Sequence, residues 1–274
     1  MANTIAVYNF KGGVGKTSAT LSLSYSWART YKVLLIDCDP QANLSQVLLE
    51  EYAADNDLSI YRIAKKLLHN SVPDLKPVKI HPYLDLIPGD FRMSEIELNS
   101  QFISFGHNII YRLMSLVKSK YDLIVLDFPT NFGMTVKSFI ANIDSILIPA
   151  IPDSFSASGF KQLLSYLAEV KKEKPLNILG IFFNQFRKNT LYHNEVINEA
   201  EQIFGRLILT QRVRQSIKVS EANHATLPIY SFVEDGNSSV AEDFLKLSEE
   251  VIGRLNTSNL NDVLEILDAE KSIR

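Results

Sequence analysis

Lys11-Gly12-Gly13-Val14-Gly15-Lys16-Thr17 is the stretch on which the fold turns. Before it runs Thr4-Ile5-Ala6-Val7-Tyr8, apolar enough for a buried strand. After it comes Ser18-Ala19-Thr20-Leu21-Ser22-Leu23, which opens a helical pattern. A glycine-rich turn between a strand and a helix is a phosphate cradle. Glycines adopt positive φ at little cost, so the backbone can wrap an anion closely. The helix N-terminus adds unpaired N–H groups and partial positive charge. Lys16 offers a point charge for β- and γ-phosphates, and the Thr17 hydroxyl can ligate Mg²⁺. A second lysine, Lys11, stands at the front of the loop.

Beyond the loop, apolar strands alternate with helical patterns. Strands are expected at Lys32–Asp37, Leu84–Gly89, Tyr121–Asp127, Ser145–Ala150, Leu176–Asn184 and, last and shortest, Leu207–Leu209. Near-continuous Val/Ile/Leu strands separated by helices predict a doubly wound α/β fold: a mostly parallel sheet with helices on both faces, in one domain. Residues 50–82 are the least regular, and Asp90–Ser119 reads as helix beside the sheet. Ligands of such sheets sit at the carboxyl ends of the strands. Asp37, Asp39 and Asp127 fall there. In Asp37-Cys38-Asp39-Pro40-Gln41 the two carboxylates stand two residues apart, on one side of an extended segment, where they can share a metal ion and a water.

These motifs carry a family resemblance. K-G-G-V-G-K-T resembles the deviant Walker A box of the ParA/MinD superfamily of P-loop ATPases, and D-C-D-P-Q resembles its second box. The likeness runs over roughly residues 2–255. It implies that Lys11, Gly12, Gly13, Val14, Gly15, Lys16, Thr17 and Ser18 surround ATP, with Lys11 reaching the nucleotide of a second subunit. It implies that Thr17, Asp37 and Asp127 hold Mg²⁺ directly or through water, and that Asp39 orients the attacking water. Phe128-Pro129-Thr130-Asn131-Phe132-Gly133 departs from the family's T-P-P-S-L-G, though Thr130 can still reach the γ-phosphate. Ile148-Pro149-Ala150-Ile151-Pro152-Asp153 resembles the family's I-P-V-x-P segment near the nucleotide. Asn184 stands where family members place an adenine-recognising residue; a structural amide serving strand-end backbone groups is the other reading.

The formal net charge is −3, so no global basic field recruits nucleic acid. A local one is available. Arg206, Arg212, Arg214 and Lys218 lie in an acid-free window, with Arg187 and Lys188 nearby. The order resembles a stretch through which ParA proteins bind DNA without sequence preference. Phosphate contacts of that kind need only charge and reach. A solvated basic face is the plain alternative.

Size and composition suit one large domain over residues 1–256, with 257–274 as a C-terminal helix or tail belonging to it or docked on it. The single cysteine, Cys38, excludes a disulfide within the chain and fits a reducing cytoplasm, where the resemblance implies a nucleoid-associated protein. No run approaches the roughly 18 apolar residues of a spanning helix. The loop begins too early for a signal peptide or a leading helix-turn-helix domain. The C-terminal pattern of Leu260, Val263, Leu264 and Leu267 is amphipathic but acidic, which argues against a membrane anchor. The resemblance therefore implies a small ParA-type ATPase. ATP and Mg²⁺ would make it a homodimer on non-specific DNA, and a ParB-like or cargo-adaptor partner would release it by stimulating hydrolysis. Its cargo would be a plasmid or chromosome. Another cargo such as the carboxysome, or a MinD-like membrane role, is the alternative.

Overall fold

The computed structural model describes residues 1–49, 52, 58–170, 176–232 and 239–255. The elements run β1 (Asn3–Val7), α1 (Lys16–Trp27), β2 (Val33–Asp37), α2 (Asn43–Leu48), α3 (Ile60–Leu68), β3 (Val78–His81), β4 (Leu84–Ile87), α4 (Met93–Glu97), α5 (Ser100–Val117), β5 (Leu123–Asp127), α6 (Met134–Ile140), β6 (Ser145–Ala150), α7 (Ala157–Val170), β7 (Asn177–Phe183), α8 (Leu191–Phe204), α9 (Ile217–His224), α10 (Ile229–Phe232) and α11 (Ser239–Arg254).

One sheet holds all seven strands in the order β3-β4-β2-β5-β1-β6-β7. Every pairing is parallel except β3 with β4. Alternate side chains of the central strands enter two separate cores. Leu34, Ile36, Ile124 and Leu126 join the core under α3 and α5, while Val33, Leu35, Leu123 and Val125 join that under α1 and α11. Period-2 projection explains this, and burial on both faces explains why β2 and β5 are apolar up to their terminal aspartates. On the second face, Trp27 Nε1 donates to the Ser248 carbonyl at 3.1 Å and fastens α1 to α11.

The parallel sheet and its helical layers match the expectation, with two differences. The irregular 50–82 region contains α3 and the antiparallel edge strand β3. Helix α3 is capped by Ser59, whose side chain accepts from Arg62 N, and it buries Ile60, Ile63, Ala64 and Leu67 at helical spacing. Strand β3 shows no solid apolar run because edge strands are half exposed. The expected strand Leu207–Leu209 shrinks to one bridge between Ile208 and Ile181, following a 3₁₀ turn at Gly205–Leu207. The 3₁₀ turn is the physical reason: it draws Ile208 N back to the Gly205 carbonyl, while the Arg254 guanidinium takes the carbonyls of Leu179, Arg206 and Ile208. The expected C-terminal helix, Leu260 to Leu267 and its acids included, lies outside the described residues. Among the described residues, no helix is long and apolar enough to cross a membrane.

Candidate phosphate and metal site

The glycine loop leaves β1 and ends in α1, as the strand–turn–helix reading requires. Gly13 and Gly15 take φ of 74° and 85°, the left-handed region that only glycine enters freely. A Cβ at Gly15 would also collide with the Asn184 amide nitrogen. Lys16, 8% exposed, folds back so that Nζ donates to the Lys11 carbonyl at 3.2 Å. Burial lowers its pKa, against the opposing pull of Asp127 and Asp39. Lys11 is exposed at the loop's front.

Strands β2 and β5 are neighbours in register, so Asp37 sits opposite Asp127 at their carboxyl ends. Both carboxylates are buried. Thr17 Oγ1 donates to Asp127 at 2.7 Å and Thr20 Oγ1 at 3.3 Å. Asp37 accepts from Ser45 N at 2.9 Å, Ser45 Oγ at 2.7 Å and Asp39 N at 3.2 Å. Burial dominates both groups: Asp37 is pushed up to about 6 and Asp127, with Asp37 repelling it, to about 8. Asp39, two residues beyond Asp37, has its Oδ1 accepting from Gln41 N at 2.9 Å. Gly89 backs Asp37: a Cβ there would lie 2.8 Å from the carboxyl carbon.

This donor set suits Mg²⁺. That ion takes a hydroxyl, one or two carboxylates, waters and substrate phosphates more readily than an all-protein cage. Consistently, the described residues hold no cluster of three or more His, Cys, Asp or Glu that could bind a metal alone. Two buried, mutually repelling carboxylates beside a hydroxyl and a lysine are complementary to a cation bearing phosphates.

Several supporting residues carry no sequence motif. Asn9, buried, donates to the Pro149 carbonyl at 2.7 Å and accepts from Lys11 N at 3.0 Å, tying the loop's start to β6. Asn184 Nδ2 donates to the Val14 carbonyl at 2.9 Å, and Gln185 Nε2 to that of Gly13 at 2.8 Å. The structural reading of Asn184 thus accounts for one of its amide hydrogens. Beside these amides opens a cavity of about 590 Å³ lined by Gly15, Ser18, Asn184, Arg214, Ser216 and Ile217, among others. Its position next to the helix start is suited to a nucleoside.

The basic stretch comes together in part. Arg187, Lys188, Arg212 and Arg214 line one cavity of about 520 Å³, while Arg206 and Lys218 lie outside it. Acids from elsewhere in the chain meet these cations. Arg214 makes a two-pronged pair with the buried Asp243, at 2.6 and 2.8 Å. Arg212 pairs with Glu201 at 2.8 Å and lies over the Phe186 ring. Lys218 pairs with Glu221 at 3.3 Å, and Arg187 bonds Gln215. The acid-free window is acid-free only along the chain.

A family model of the AAA domain matches residues 2–179. A ParA family protein of Chlamydia trachomatis is 32% identical over 256 residues, covering 91% of this chain and 97% of that protein. A chromosome-partitioning ATPase, Soj, of Treponema pallidum is 29% identical, covering 93% and 98%. Among solved structures, a plasmid partition protein of Borrelia burgdorferi bound to AMPPNP superposes with a TM-score of 0.75 at 21% identity, covering 93% and 98%.

Proposed function

The chain belongs to the ParA family of P-loop ATPases, and we propose that it is a Mg²⁺- and ATP-driven partition switch. ATP would join two copies, the joined form would bind DNA non-specifically, and a ParB-like or adaptor partner would end that state by stimulating hydrolysis. The single observation that carries the reading is the facing pair Asp37 and Asp127, buried at one strand level beside Thr17 and Lys16.

In the proposed mechanism the loop N–H groups and Lys16 hold the β- and γ-phosphates. Bound Mg²⁺ would neutralise charge developing on the phosphate oxygens, with Thr17, Asp127 and Asp37 as its direct or water-mediated protein ligands. Asp39 orients the attacking water. Lys11 reaches the γ-phosphate of the facing subunit, which places cationic charge there only when two copies meet. Thr130 hydrogen-bonds the γ-phosphate from the loop opposite Gly12. Hydrolysis of this kind needs positioning and charge stabilisation more than covalent chemistry. The nucleoside occupies the cavity beside Asn184 and Ser216, and DNA phosphates meet Arg187, Lys188, Arg206, Arg212, Arg214 and Lys218. Arg212 and Arg214 must exchange their carboxylate partners for phosphate, or share them. This makes Lys188 and Arg206, both exposed, the readier contacts.

Gel shifts of a random-sequence duplex with ATP against ADP test this reading. Retardation is expected with ATP only, and it is lost in both Lys11→Ala and Lys16→Ala. Monomer affinity for nucleotide falls in Lys16→Ala and is largely spared in Lys11→Ala. Retardation independent of nucleotide would refute the switch, and equal loss of monomer affinity in the two variants would refute the role of Lys11 across subunits.

A further inference from the structure

The loop after β5 carries Phe132 where the family pattern has leucine, and this ring is the hub of an aromatic cluster bordering the phosphate site. Its centroid lies 4.8 Å from that of Tyr166 on α7, with the planes at 90°. It lies 5.7 Å from Phe10, planes at 73°, and 5.7 Å from Tyr8. Phe10 and Tyr166 meet each other at 6.4 Å and 86°. Lys137 of α6 places Nζ 5.8 Å from the centres of both Phe132 and Tyr166. Edge-to-face geometry sets the positive rim of one ring against the negative face of another, so the contacts are directional as well as apolar.

The same loop is held at its other end. Phe128 is buried against Tyr8 and Phe139, and Tyr8 Oη donates to the Asn131 carbonyl at 3.4 Å. Thr130 lies between these two fastenings. Its methyl is 3.8 Å from where a Cβ on Gly12 would stand, so the loop abuts the phosphate cradle directly. Phe10 immediately precedes Lys11. The ring cluster therefore joins the residue before Lys11, the loop bearing Thr130, and α7.

We propose that Phe132 is a positioning residue for the ATPase: wedged between Phe10 and Tyr166, it sets Thr130 opposite Gly12 and passes the presence of a γ-phosphate to α7. The inference rests on the ATPase reading above. A γ-phosphate entering between Gly12 and Thr130 displaces the loop, and the ring cannot follow without moving its two partners. ADP, which leaves that gap unfilled, moves nothing.

Two variants test this. Phe132→Leu keeps apolar bulk but removes the directional contacts. Its kcat is expected to fall about tenfold or more, as misplacement of reacting groups does. KM, ADP affinity (by a fluorescent ADP analogue) and melting temperature stay near wild type. Phe132→Trp is a reporter, because the only native tryptophan, Trp27, is buried and bonded to Ser248. Emission from the introduced indole is expected to shift with AMPPNP but not with ADP, and adding Tyr166→Leu abolishes that difference. An unchanged kcat in Phe132→Leu overturns the proposal, because the wedge is then dispensable. So does a parallel loss of kcat, ADP affinity and melting temperature, which marks mere core packing. An indole emission blind to bound AMPPNP in Phe132→Trp overturns it as well. If the wild type binds ATP without hydrolysing it, the ATPase reading fails on its own. The tryptophan reporter then still decides whether the cluster senses the third phosphate.

Discussion

Asp90 and the pair Asp37–Asp127 are all buried carboxylates at the same end of the sheet, and the chain treats them in opposite ways. Asp90 follows β4 and meets Arg92 through Nε at 2.9 Å and Nη2 at 2.7 Å, with Ser59 Oγ adding a bond at 2.6 Å. Burial raises its pKa, but those bonds outweigh burial and hold the carboxyl below its ordinary value. Among the described residues, Asp37 and Asp127 receive backbone N–H and hydroxyl donors only, and both are pushed up. An acid neutralised by its own chain serves the fold. A facing pair held by neutral donors is costly to the folded protein and is complementary to a cation from outside. That contrast sets a carboxylate satisfied by its own chain beside two that are not, within a few ångströms of backbone.

The contrast can be attacked from both sides. The largest effect is expected from Lys16→Ala, which removes the charge proposed to meet the phosphates. Steady-state phosphate release should drop by about 10³-fold, with thermal stability unchanged. Next comes Asp90→Ala, which takes the carboxylate from the half-buried Arg92 and the acceptor from Ser59 Oγ, and should cost about 2 kcal/mol in a urea melt at pH 7. The pH dependence has a definite sign. Because the folded pKa of Asp90 is depressed, its contribution is full above the unfolded value near 4 and vanishes as pH falls through the folded one. Urea melts of wild type and Asp90→Asn should therefore converge as pH falls below the ordinary carboxylate value and diverge toward neutral pH.

Asp39→Ala is expected to lower turnover about 10²-fold while ATP binding, measured by equilibrium dialysis, persists. Gly89→Ala pushes a methyl into the Asp37 carboxylate and should cost about 1–2 kcal/mol in the same melts. The smallest expected effect is the most telling. Without metal or nucleotide, Asp127→Asn should be as stable as wild type or gain about 1 kcal/mol, because it replaces a buried carboxyl whose ionisation both burial and Asp37 oppose. A loss as large as that of Asp90→Ala would erase the distinction between the two kinds of acid.

Local chemistry decides what can be read in advance. Lys11 through Thr17, Asp37 and Asp127 are legible because strand, turn and helix follow one another along the chain, and strand ends face ligands in parallel sheets. The apolar runs disclose the parallel core for the same reason. Strand β3 is hidden by its half-exposed edge position, and the 207–209 segment reads as a strand because its apolar run does not disclose the 3₁₀ turn at Gly205–Leu207, which draws Ile208 N back to the Gly205 carbonyl. Asn9 and Gln185 support the loop through contacts that only folding creates, although an asparagine two residues before Lys11 is a usable turn signal. The basic stretch misleads in one respect: Asp243 and Glu201 face it across the fold, so charge counted along the chain overstates charge at the surface.

Calorimetric titration of ATP, with Mg²⁺ and with EDTA, into wild type and Asp127→Asn tests the central claim most directly. If, as proposed, the strand-end pair receives Mg·ATP, wild type should bind ATP at least about tenfold more tightly with Mg²⁺, and Asp127→Asn should show little such gain. Equal affinity of the wild type with and without Mg²⁺ would contradict the account.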